Sequence, residues 1–153
     1  MIQLQGPGNQ AKVYALVKNI SGAALSAGKA VYYDSSDTSA GANGHAVSGA
    51  MTGKKYLFAG ITNEAIADDA YGEVVVYGTC SAYVKFSAST VSAAAGAQLD
   101  AVTSSTYLAP YAAIAGSSST IDNPWNFVTL VEAIESAAAG SVQTLRHVFV
   151  RAM

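Results

Sequence analysis

Cys80, His45 and His147 are the side chains best suited to nucleophilic or metal chemistry, and their spacing serves neither. Nucleophilic catalysis needs a thiol or hydroxyl, a base, and a group that orients the base. Cys80 follows the apolar run VVVYGT and reads as a small core hydrophobe. His45 sits among Ser and Gly, where an exposed turn residue is the simplest account; His147 lies inside the last apolar segment, as a structural or interface histidine. Metal sites need clustered ligands, and no HxH, HExxH or CxxC pattern joins these residues.

The carboxylates give no better pairing. Asp68 and Asp69 precede Gly72 and read as turn caps, and Glu132 and Glu135 read as a solvated edge. Asp34 and Asp37 resemble a fragment of a calcium loop without its other oxygens or closing glutamate. Gly41 and Gly44 have no strand-loop-helix context and no GK[ST], so they are not a phosphate loop. The expectation is a chain that is not an enzyme, with no catalytic, cofactor-binding or metal residues.

Around these side chains the pattern is that of a β protein. β-Branched and aromatic runs bounded by glycine-marked turns predict strands at 13–19, 29–34, 57–62, 73–79, 81–86 and 145–151. The segment 107–115 is broken by Pro110 and predicts an edge or bent strand. The segment 125–134 predicts a strand joined to the last one by a glycine-containing hairpin link, because Val128, Thr129 and Val131 are β-branched. The stretch SAAAGAQLDA echoes ALSAGKAVYYD in its small-residue turn, its glycine and the apolar residues that follow. Residues 87–101 predict turn and short strand, and residues 35–53 a long loop without alternation. The fold class expected is all-β: a compact small barrel or sandwich of short antiparallel strands. It forms one domain over 11–153, preceded by an extended N-terminal arm at 1–10 punctuated by Gly6-Pro7-Gly8.

Composition limits the partners. Of 153 residues only 12% are charged while 51% are hydrophobic. That balance suits a closely packed β protein, or a chain whose surface is largely consumed by partners, since interface cores are depleted in charge. The net charge of −2 and the absence of a basic stripe argue against nucleic acid as a direct ligand. One cysteine allows no intramolecular disulfide. The start MIQLQGPGNQ lacks a basic region and an apolar run, so synthesis in the cytoplasm is expected. No apolar stretch approaches the ~18 residues of a membrane helix, so no membrane partner is expected.

Three segments carry a resemblance to a known family: NISGAALSAGKAVYY, FAGITNEAIADDAYGEVVVYGTC and the closing FVTLVEAIESAAAGSVQTLRHVFVRAM. Together they resemble the decoration, or cement, proteins that stabilise the heads of tailed bacteriophages. The resemblance implies a non-enzymatic protein on the outer surface of the virion. Its partner would be the major capsid protein, and it would act as a homotrimer that clamps neighbouring capsomers against internal DNA pressure. The 35–53 loop departs from the family pattern. The candidate interface residues are Ile2, Gln3 and Leu4, which an extended arm would add to a neighbour's sheet edge, with Trp125 and His147. Two other classes stay open: a virion- or cell-surface binding module, such as a fibre base or glycan-binding domain, and a small hydrolase built on Cys80 or a serine with a histidine.

Overall fold

Alternating apolar residues between glycine turns send at least one face of a strand inward, and here the strands close on themselves. The computed structural model describes residues 11–34, 45–49, 57–86, 90–102, 105–110, 128–132, 134–138 and 143–152. Among the described residues there are eleven strands and no α-helix. They are β1 (Val13–Asn19), β2 (Ala30–Tyr33), β3 (Ala46–Ser48), β4 (Phe58–Thr62), β5 (Tyr71–Lys85) and β6 (Thr90–Ala93). The rest are β7 (Gln98–Ala101), β8 (Leu108–Pro110), β9 (Val128–Leu130), β10 (Ile134–Ala138) and β11 (Gln143–Arg151).

Pairing closes two rings on the long strand β5. The first runs β1-β3-β2-β4-β5 and returns to β1. The second runs β5-β11-β9-β7-β8 and returns to β5 through the pair Val84↔Leu108. The N-terminal part of β5 thus completes one small barrel and its C-terminal part begins another. The strands β6 and β10 form a separate two-stranded ribbon.

The two barrels repeat one pattern. In each, the first strand pairs in parallel with the third, and every other pairing in the ring is antiparallel. The shift that carries Gly28 onto Gly96 also carries the pair Val31↔Gly60 onto Leu99↔Val128. Single hydrogen bonds follow it. Gly28 N–H donates to Thr62 O as Gly96 N–H does to Leu130 O, and Thr62 N–H donates to Lys29 O as Leu130 N–H does to Ala97 O. Asn63 N–H donates to Glu73 O as Val131 N–H does to His147 O. The isolated bridge Leu25↔Ile66 maps onto Ala93↔Ile134. The echo between ALSAGKAVYYD and SAAAGAQLDA is therefore structural: both segments are the same turn and second strand, with Gly28 and Gly96 at positive φ of 78–84° together with Gly22.

Each barrel has its own filling. Val17, Val31, Val47, Val74 and Val76 pack in the first. Beyond Gly78 the same face of β5 carries Cys80, Ala82 and Val84, which pack with Leu99, Leu108, Val128, Leu130, Val148 and Val150. Gly78 has φ of 109°, and a Cβ there would stand 2.7 Å from Ala11 O, so only glycine lets the incoming chain cross β5 at this waist. Burying each such Val, Leu or Ile is worth about 1.5–3 kcal/mol relative to exposure. The second cluster also takes in Ala30, Tyr32, Ile61 and Val75, from the opposite faces of β2, β4 and β5. The second barrel's cluster thus extends over the first barrel, whose interior keeps a cluster of its own.

The join is made at a seam. In the first barrel the parallel pair is laced by Lys18 N–H to His45 O and Ile20 N–H to Val47 O. In the second, Tyr83 N–H donates instead to Gly28 O, while Ala30 N–H donates to Thr106 O. The Gly28 turn of the first barrel is wedged into the seam of the second.

Several expectations need correction. Residues 73–79 and 81–86 form one strand, not two, because pairing with β11 continues through Cys80, where the expected strands part. Not all pairing is antiparallel, since β1–β3 and β5–β8 are parallel, and β5 at 15 residues is not short. The expected loop at 35–53 contains β3, a three-residue strand too brief to show alternation; residues 35–44 and 50–53 lie outside the described residues. Leu108–Pro110 is not an edge: Pro110 closes a strand that pairs with both β7 and β5. The strand expected through 134 bends at Val131 and Glu132, so β9 pairs with β11 while β10 pairs with β6.

Candidate functional site

Cys80, the one thiol, sits inside the second barrel and forms no disulfide. Burial pushes it from its ordinary 9.0 up to about 12, outweighing the opposing effect of Lys12. A thiol so protonated is a poor nucleophile. It borders a cavity of about 250 Å³ at the junction of the barrels, where Lys12, the Ala27-Gly28 turn, Thr62 and Leu145 also contribute. No histidine lines that cavity.

His45 and His147 are far apart in the fold. His45 is exposed ahead of β3, its Nδ1 3.3 Å from Leu16 O. His147 is exposed on β11, opposite Ser81 of β5. Asp68 does cap a turn, accepting from Gly22 N–H at 3.0 Å. Asp69 holds a positive φ of 60° and pairs with Lys18. Glu132 is exposed. Among the described residues no group of three or more His, Cys, Asp or Glu is placed to hold a metal ion. No helix among them is long and apolar enough to cross a membrane. Ile2, Gln3, Leu4 and Trp125 lie outside the described residues.

The polar groups that are buried serve the corners. Asn19 Nδ2 donates to Ala23 O, Ile66 O and Ala67 O, and its Oδ1 accepts from Ser21 N–H and Oγ–H. Thr62 Oγ1 accepts from Lys29 N–H and donates to Ser26 O, fixing the turn that enters the second barrel. Among the described residues the buried Tyr32 hydroxyl has no hydrogen-bond partner, and burial, then the nearby Asp100, push its pKa upward.

What the surface offers is apolar. Tyr32 lies in the core, but Tyr71 is exposed. It shares the outer face of the first barrel with Leu16, since Leu16↔Glu73 and Lys18↔Tyr71 are opposed pairs. Leu145 and Val131 are exposed on the outer face of the second, beside His147. Sequence reasoning singled out His147 but passed over these four. The signal was present in VYALVKN: with Val13, Ala15 and Val17 facing the core, the period of two turns Leu16 to solvent.

No protein-family model matches the chain, and neither does any curated protein.

Proposed function

We propose that this chain is a structural, non-enzymatic decoration protein that binds the outer surface of a phage capsid and cements neighbouring capsomers. The observation that carries the reading is the pairing of a charge-poor chain, 12% charged, with large apolar side chains left exposed on rigid barrel faces. Surfaces of that kind suit stable association more than diffusion as a free monomer. Three sequence segments that resemble phage head-stabilising proteins set the direction of the proposal. The buried Cys80 and the separated histidines suit a role without chemistry.

In this reading the partner is the major capsid protein and the working form is a homotrimer. Three copies joined to three or more shell subunits convert modest contacts into firm attachment through effective concentration. The arm at 1–10, with Ile2, Gln3 and Leu4, and the interface residue Trp125 are proposed as capsid contacts. The test is sedimentation of purified protein with immature and with expanded heads. Binding to expanded heads alone, with a higher temperature of DNA release, supports cementing; binding to neither form rejects it.

A further inference from the structure

Among the described residues the exposed large hydrophobics are Leu16 (59%), Tyr71 (65%), Val131 (44%) and Leu145 (53%). They are not scattered. Leu16 and Tyr71 are diagonal neighbours on the outer face of the β1–β5 pair. Val131 lies beside His147, and Leu145 is two residues along the same face of β11. The register that relates the barrels places Tyr71 on Leu145 and Glu73 on His147, because Lys18↔Tyr71 corresponds to Tyr83↔Leu145, while Leu16 falls on Ser81 and Val131 on Asn63.

Their charged borders differ in sign. The first patch is edged by Glu73, Asp68 and Asp69, with Lys18 already paired to Asp69. The second is edged by Lys29, whose Nζ lies 4.4 Å above the Tyr83 ring, by Lys85 opposite Gln143, and by His147, with Glu132 as its acid. An acidic-edged apolar patch and a basic-edged one stand on separate barrels of one chain.

We infer that the occupant of each patch is a second copy of this chain: Leu16 and Tyr71 of one copy seat against Val131 and Leu145 of the next, with Glu73 facing His147. The contact is heterologous, since each patch meets its complement rather than itself; such a contact makes a ring where its rotation closes and an open filament where it does not. The inference rests on the homo-oligomeric part of the proposed function and needs no capsid.

Light scattering after size exclusion, at high micromolar protein without heads, reads the association. Wild type is expected as a discrete oligomer of the 15.5 kDa chain, three copies in the trimeric reading. Tyr71→Lys and Leu145→Lys are each expected to be monomeric, with wild-type circular dichroism. An equimolar mixture is expected to give a species of two chains and nothing larger, because it retains one intact patch of each kind. If one of these variants fails to fold, Leu16→Lys or Val131→Lys replaces it on the same patch. A monomeric wild type, a variant that keeps the wild-type mass, or a mixture that stays monomeric overturns the inference. Head binding by an unassociated wild type would leave the capsid reading standing while this one fell.

Discussion

The two barrels share a pairing pattern but are held by different means. The first buries Asn19 and Thr62, the two buried polar residues among those described. At the corresponding positions the second has Val84 and Leu130. In the first barrel the corner from Asn19 to Leu25 is short, and the Asn19 amide ties it to Ile66 and Ala67. In the second the corresponding corner runs from Val84 to Ala93 and has grown into the β6–β10 ribbon. Backbone polar groups at a corner must find partners. A buried amide supplies them in one barrel and strand pairing in the other. A barrel topology therefore does not prescribe its own corners; it leaves that choice to a few residues.

The largest expected effect comes from removing the amide. Asn19→Ala leaves three carbonyls and the Ser21 donors without that partner inside the corner. The expected loss is about 3 kcal/mol, or a melting temperature lower by roughly 10 °C. A loss no greater than that of Val84→Ala, measured by the same denaturant titration, would break the comparison.

Glycine gives a second contrast. Gly28 and Gly96 are corresponding turn residues with nearly equal φ. A Cβ on Gly28 would stand 2.9 Å from Leu145 Cδ2 and 3.3 Å from Ser81 O, whereas one on Gly96 would meet nothing within 4 Å. Gly96→Ala is expected to cost about 1 kcal/mol of backbone strain alone. Gly28→Ala adds a clash at the seam between barrels and is expected to cost about 2–3 kcal/mol. Thermal unfolding of the two variants side by side sharpens the comparison, and equal costs would remove the seam from the account. Thr62→Val, which takes the second barrel's apolar solution into the first, is expected to cost about 1–2 kcal/mol by urea titration.

The smallest effect concerns Cys80, whose counterpart in the first barrel is Ala15. Its folded pKa is raised from 9.0 to about 12, so the neutral thiol favours the fold. That contribution is complete below pH 9 and is lost as pH climbs towards 12. Wild type should therefore lose more stability than Cys80→Ala across that window. Native Cys80 should also react with iodoacetamide at pH 8 roughly a hundredfold or more slowly than in urea.

Much of this fold was legible in residue order. β-Branched runs between glycines marked β1, β2 and β11 closely, and the shared turn showed as AG in both SAGKA and AAGAQ. What was hidden depends on contacts distant in sequence. β3 and β8 are three residues each, shorter than one alternation can declare, and their parallel seams are set by partners far along the chain. The fusion of two expected strands into β5 rests on pairing with the distant β11, which runs unbroken through Cys80, where the two were expected to part. The apolar patches were half legible: alternation exposes Leu16, but nothing local says that Tyr71 and Leu145 occupy one position in two copies of a barrel. His147 was found for its type, whereas its counterpart Glu73 emerged only from the register.

The register of β5 also has a mechanical and engineering consequence. Val13 opens β1 opposite Tyr77, and Arg151 closes β11 opposite the same residue, on the other side of β5. The start of β1 and the end of β11 thus lie at one waist, two strand spacings or about 10 Å apart. A peptide linker of a few residues could join them, and new termini could be cut at an outer corner of either barrel. Tension applied through the ends would pull at the middle of β5 and peel β1 and β11 away in opposite directions, one pairing at a time, rather than shearing either ladder as a whole.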